Sequence, residues 1–318
     1  GGSDPRVPAL RERLAISGDL ESGGEGGPVY DPALVAAVER FQARHGLAVD
    51  GVVGPRTLRA LNVSAEARVA QLERSWLERL ALERQLGERY VLVNVPAFEL
   101  VYAEDGEMRQ RTNVVVGDTR YQTPIFADAI DHLVFNPSWS VPSSIANRSL
   151  LDDFREDPAR MEEEGYHLIG AGGRSVRPTE VDWSSVERGA IPYRVRQRPG
   201  SANALGVVKF MFPNEHAVYL HDTPSKSLFR RAMRASSNGC VRVENPLDLA
   251  TLLLASDGWT RAEIDDLVAS GRQRTVSLSR PVPVHLVYLT AWTETDGVTH
   301  FRDDVYGREV PPVEVASR

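Results

Sequence analysis

Tyr219-Leu220-His221-Asp222-Thr223-Pro224 reads as a strand that delivers His221 at its end. Eighteen residues separate His221 from Cys240, which stands in Ser237-Asn238-Gly239-Cys240-Val241-Arg242. A thiol attacks as its thiolate, so a nucleophilic Cys240 needs a base or a cation close by. His221 can be the base, and Arg242 can add positive potential. Gly239 lets the backbone approach a substrate closely, and the amides of Gly239 and Cys240 can point at a developing oxyanion. The set as a whole suits acyl transfer through a cysteine. Each member alone has a plainer reading. A single cysteine is most often an inert buried side chain, and a lone histidine is most often a satisfied structural one. Asp222 can orient His221, but strand neighbours point to opposite faces, so a backbone carbonyl is the better partner for the ring.

Composition removes competing chemistries. Lys+Arg total 37, of which only Lys209 and Lys226 are lysines. No Ser-x-x-Lys or Lys-Thr-Gly occurs, so the serine–lysine machinery of penicillin-binding proteins is absent. Nor is there a P-loop, a His-Glu-x-x-His or a Gly-x-Ser-x-Gly string. With one cysteine there is neither an internal disulfide nor a cysteine-based zinc cluster. A net charge of −7 argues against nucleic acid as the main partner. The apolar share, 42 %, is that of a globular chain, and no apolar run reaches the ~18 residues of a membrane span. Gly1-Gly2-Ser3 reads as an expression scar, so a native segment with targeting information and a membrane anchor is left open ahead of it.

At roughly 150 residues per domain, 318 residues suggest about two domains. Residues 4–63 form a small helical unit. Asp31-Pro32 starts a helix, Leu34, Val38 and Phe41 line one face, and Gly46 ends it. Gly23 to Gly27 is a loop. Residues 64–88 form a connecting helix capped by Ser64, and its stripe Val69, Leu72, Trp76 and Leu80 is read as core packing. Residues 89–318 are strand-rich, interrupted by a polar, helical stretch at about 138–205.

Two resemblances follow from longer strings. Phe41-Gln42-Ala43-Arg44-His45-Gly46-Leu47, Asp50-Gly51-Val52-Val53-Gly54 and Thr57-Leu58-Arg59-Ala60-Leu61 resemble the peptidoglycan-binding domain 1 family. His221 and the Ser237 to Arg242 segment, with Asn245 and Asp248, resemble the YkuD-type L,D-transpeptidases. One position departs: the usual second histidine of that motif is Asn238, which leaves His221 as the only plausible base. His-Asp-Thr-Pro, the approach Asn136-Pro137-Ser138-Trp139-Ser140-Val141-Pro142 and the C-terminal Val287-Tyr288-Leu289-Thr290-Ala291-Trp292 are similar to the large YcbB/LdtD-like subgroup.

The resemblance implies an α+β protein. A mainly β catalytic domain, a YkuD-like β-sandwich with a helical lid, would follow a three-helix peptidoglycan-binding domain. It implies that Cys240 attacks the L,D bond of a donor tetrapeptide stem, and that His221 activates the thiol and later deprotonates the incoming amine. D-alanine is released, and a diaminopimelate amine accepts the acyl group in a 3→3 crosslink. With water as acceptor the site would be an L,D-carboxypeptidase. Carbapenems are expected to acylate the thiol, no cofactor is implied, and the setting is the periplasm or cell envelope. Around this pair, Tyr219 lines the site or packs, and Arg242 holds a stem carboxylate or orders the loop. Trp139 caps the cleft or anchors a hinge, Ser237 and Asn238 position substrate, and Asn245 and Asp248 steady the loop and the helix after it. Two other readings compete: a zinc peptidase using His216, His221, Asp222 and His285, for which no recognised spacing exists, and a wall-binding module with a dead catalytic domain.

Overall fold

The structure, a computed structural model, describes residues 2–21 and 27–309. The predicted glycine loop lies outside them except for Gly27. The chain divides into two compact units, 1–85 with 231–233 and 288–318, and 86–230 with 234–287.

In the first unit, α1 (Val7–Ile16), α2 (Pro32–Arg44) and α3 (Pro55–Leu61) enclose Leu14, Leu34, Val38 and Phe41. The Asp31 carboxylate accepts the Leu34 amide, so the helix starts where the sequence places it. Buried Gln42 ties Asp50, Gly51, Val52 and Thr57 together through its amide. His45 stacks on Phe41, ring centroids 3.8 Å apart, and is held down to about 3 by burial first and by the nearby Arg44 charge next. The unfolded chain therefore takes up a proton near pH 6.5 that the folded chain refuses until about pH 3. Stability present above pH 6.5 should drain away as pH falls through that window, at up to ~1.4 kcal/mol per pH unit. Urea midpoints measured from pH 7 to pH 4 should show this, and His45→Leu should flatten the slope.

Helix α4 (Ala65–Glu83) is capped by Ser64, as expected. Its buried face is different from the expected one. Val69 and Trp76 are exposed, and the buried positions are Gln71, Ser75 and Leu82. The reason is the segment after Tyr288, which belongs to this unit and not to the strand-rich one. Gln71 donates to the carbonyls of Thr290 and Arg302, and Ser75 Oγ accepts the amides of Thr290 and Ala291. A hairpin of Ala291–Thr293 and Thr299–Phe301 thus meets the helix through backbone groups that need polar partners.

The second unit is built on β1 (Arg89–Asn94), β2 (Glu99–Glu104), β3 (Glu107–Gly117) and β4 (Phe126–Phe135). An insertion follows: β5 (Trp139–Ser140), α5 (Ser143–Ile145), α6 (Leu151–Glu156), α7 (Pro158–Glu163), β6 (Tyr166–Ile169), β7 (Ser175–Val176) and β8 (Arg194–Gln197). Then come β9 (Val208–Met211), β10 (Leu220–His221), β11 (Ala235–Ser237), β12 (Val241–Val243), α8 (Pro246–Leu254), α9 (Arg261–Ala269) and β13 (Arg274–Val287). The sheet order is β11-β3-β12-β10-β9-β4-β13-β1-β2, and β2 also pairs with β3. The eight strands from β3 round to β2 therefore close on themselves, and β11 adds to the end of β3. Val91, Val93, Leu133, Phe210, Leu220 and Val241 are fully buried. The mainly β, α+β architecture read from the sequence is present.

The insertion is not simply helical. Strands β5, β8, β6 and β7 form a separate four-stranded sheet. With the helices it encloses its own core, in which Phe154 stacks on Trp183 at 4.5 Å. Its strands have two to four residues, too short to carry a clear alternation in sequence. Its neck is pinned: Asn203 donates to the Pro137 carbonyl, and the Asn136 amide to that of Val207. Short ladders open more readily than β13, which runs for 14 residues. Hydrogen exchange should show lower protection across residues 138–205 than across the closed sheet.

Candidate active site

Register places the chemistry on one face. In β10 and β12, which are parallel, His221 lies beside Arg242 and Leu220 beside Val241. In β9, which is antiparallel to β10, Lys209 lies beside His221. Paired strand residues share a face and alternate residues return to it. Lys209, Tyr219, His221, Cys240 and Arg242 therefore share one side, while Phe210, Leu220 and Val241 fill the interior. The Tyr219 and His221 rings are 5.6 Å apart, and the Lys209 ammonium lies 5.4 Å from the Tyr219 ring centre.

His221 is buried, and its Nδ1 lies 2.5 Å from the carbonyl oxygen of Asp222. A carbonyl only accepts, so Nδ1 carries the proton and Nε2 presents its lone pair. The Asp222 carboxylate points elsewhere, as strand alternation requires. It accepts the Val207 amide at 2.9 Å and the Lys226 ammonium at 2.6 Å. Gly206 makes room for it: a Cβ there would lie 2.2 Å from an Asp222 carboxylate oxygen. Asp222 thus anchors the backbone whose carbonyl orients the imidazole.

Cys240 is half-buried, with Sγ 4.0 Å from the Ala217 carbonyl oxygen. Burial pushes the thiol up, against a backbone hydrogen bond from Tyr219 and the charges of Arg242 and Lys209. His221 is held down to about 3 by burial and then by Arg242, with Lys209 adding to it and the bond to Asp222 opposing. Both groups rest neutral at pH 7, so no standing thiolate–imidazolium pair is present.

The loop before Cys240 is locked. Ser237 Oγ donates to the Cys240 carbonyl at 2.5 Å and accepts the Gly239 amide at 3.1 Å. Thr123 Oγ1 donates to the Gly239 carbonyl and accepts the Gly117 amide. The Gly239 amide, expected to face an oxyanion, is therefore occupied by Ser237. The Cys240 amide donates no hydrogen bond among the described residues, and it is the loop donor left for that role. Gly239 instead supplies a positive φ of 109° that favours glycine.

The insertion reaches this face at two points. The Trp139 side chain acts on the Tyr219 hydroxyl, lowering it against the larger effect of burial. Arg148 donates to the Asn238 side chain at 2.5 Å and lies 3.9 Å from the Tyr121 ring centre. Asn238 is thus a contact between the insertion and the loop. Asn245 bonds Thr112 at the start of α8, whereas Asp248 pairs with Arg261 of α9 at 2.6 Å, away from the Cys240 loop. Arg148 and Tyr121 were not singled out from the sequence, and Lys209 was named there only as one of two lysines. Lys209 and Lys226 carried one usable signal: the only two lysines both bear on His221. Among the described residues no three His, Cys, Asp or Glu side chains gather as metal ligands, so the four candidates for a zinc site do not form one.

A thiol on the same face as an oriented, neutral imidazole is the equipment of a cysteine acyltransferase. Residues 88–282 match the model of the YkuD L,D-transpeptidase catalytic domain, and residues 3–61 that of a "Putative peptidoglycan binding domain". A Haemophilus influenzae protein described as "Putative L,D-transpeptidase" is 38 % identical over 217 residues, 68 % of this chain and 44 % of that protein. The chain belongs to the L,D-transpeptidase family. It spans less than half the length of that relative. Among solved structures, an L,D-transpeptidase from Xylanimonas cellulosilytica covers 90 % of this chain and 95 % of its own at 18 % identity and a TM-score of 0.30. One from Stackebrandtia nassauensis covers 90 % and 93 % at 17 % identity and 0.30. No helix among the described residues is long and apolar enough to cross a membrane.

Proposed function

We propose that this chain is a peptidoglycan L,D-transpeptidase of the YcbB-like subgroup, acting in the cell envelope and forming 3→3 crosslinks. The observation that carries the reading is the placement of Cys240 and His221 on one face, with Nδ1 tied to a carbonyl. As Cys240 Sγ attacks the carbonyl after the third residue of a tetrapeptide stem, its proton passes to His221 Nε2. The Cys240 amide faces the oxyanion. The C–N bond breaks, the proton goes to the departing amine, and D-alanine leaves a thioester on Cys240. The side-chain amine of a diaminopimelate on a second stem then attacks the thioester, gives its proton to His221, and the thiol is restored. Water in place of the amine gives L,D-carboxypeptidase activity. Carbapenems acylate the same sulfur. Asn238 and Trp139 hold the lid over the site, and Tyr219 lines it. The N-terminal unit holds the enzyme on the glycan.

Incubation with a disaccharide-tetrapeptide followed by muropeptide analysis tests this. Dimers crosslinked from third residue to third residue, with one D-alanine released per bond, are expected. Products unchanged by thiol alkylation would overturn the reading.

A further inference from the structure

Two cations on the Cys240 face lack an acid. Neither Lys209 nor Arg242 has a salt-bridge or hydrogen-bond partner for its side chain among the described residues, and Arg242 Nε is buried without one. The other lysine is different, because Lys226 is paired with Asp222. Burial lowers both Lys209 and Arg242, and no carboxylate acts back on either. Two half-buried positive charges on one face, one on either side of His221 and without a counter-ion, in a chain of net charge −7, suit an anion. They flank the base and the nucleophile: Lys209 is paired with His221 across β9 and β10, and Arg242 stands two residues after Cys240.

The donor chemistry offers an anion at the matching place. When the residue after the scissile bond is the last of the stem, its carboxylate carbon lies within about 4 Å of the attacked carbonyl carbon. Building on the transpeptidase reading, we propose that Lys209 and Arg242 together hold the C-terminal carboxylate of the leaving residue, and so select donor stems that end one residue beyond the attacked carbonyl. A stem one residue longer has a neutral peptide group there and leaves the cations unpaired. Carboxylate binding also cancels the two charges that oppose protonation of His221, so the correct donor strengthens the base that acts on it. Release of the residue carries the anion away and resets the site for the acceptor.

The test compares three donors: the disaccharide-tetrapeptide, the same with its C-terminal D-alanine amidated, and the same with the D-centre carboxylate of diaminopimelate amidated. Release of the leaving residue is measured for the wild type, Lys209→Met, Lys209→Arg and Arg242→Gln. The wild type should prefer the free acid over its C-terminal amide by roughly 10- to 100-fold, chiefly in KM, as for a charge-assisted hydrogen bond. Lys209→Met should bring that ratio close to one, Lys209→Arg should restore most of it, and Arg242→Gln should reduce it. An equal loss on both donors would mean that the charge acts only on the thiol, and would overturn the proposal. Discrimination against the diaminopimelate amide instead would assign the cations to that carboxylate and overturn it too. A wild type that binds carbapenem at no cysteine and releases no residue from any donor would sink the transpeptidase reading itself, a separate outcome.

Discussion

Replacing Cys240 with alanine is expected to leave a folded chain that takes up no carbapenem and makes no crosslink. Intact-mass spectrometry after incubation with a carbapenem should show one adduct on the wild type and none on the variant. The chain has a single cysteine, so no second thiol can mask the result. The substitution removes only Sγ. The Cys240 carbonyl still accepts from Ser237, and the loop keeps its bonds to Thr123 and Gly239. Unchanged thermal melting would therefore accompany complete loss of acylation. An adduct that survives the substitution would move the nucleophile elsewhere.

The second large effect is at His221. Glutamine there keeps a polar side chain of similar length but offers no base, so acylation should slow by roughly 10²- to 10⁴-fold. The pH dependence separates this from mere loss of packing. His221 is held down to about 3, so it is a competent base at every pH above that value. The wild-type acidic limb should accordingly lie well below pH 6.5, where an exposed histidine would already be protonated. Acylation rates followed between pH 4 and pH 8 would show this. A wild-type limb centred at pH 6.5 would mean that burial does not set the basicity of this imidazole. Conversely, iodoacetamide should alkylate the free enzyme slowly at pH 7, because burial pushes the Cys240 thiol up and no standing thiolate is present.

Much of the local structure was legible. Asp31 and Ser64 cap their helices through bonds to residues three positions on, a distance over which sequence and structure are nearly the same thing. The strand ending at His221 and the Gly239-Cys240 loop were also readable, and the choice of a backbone carbonyl over the Asp222 carboxylate follows from strand alternation alone. Failures came where a partner lay far along the chain. The apolar stripe of α4 suggested burial of Val69 and Trp76. The helix buries Gln71 and Ser75 instead, because strand-end groups more than 200 residues away need hydrogen bonds. The short strands of the insertion carried no period to read.

The sequence by itself pointed to Cys240 and His221 as the candidate pair and excluded lysine-dependent and P-loop chemistry, since these depend on which residue types exist and how they are spaced. Only the tertiary structure decided what surrounds them. Pairing of β9, β10 and β12 places Lys209 on one side of His221 and Arg242 on the other. Ser237 takes the Gly239 amide and leaves that of Cys240. Arg148 reaches Asn238 from an insertion 90 residues earlier. Such contacts are set by register between distant strands, and register depends on the closure of the whole sheet.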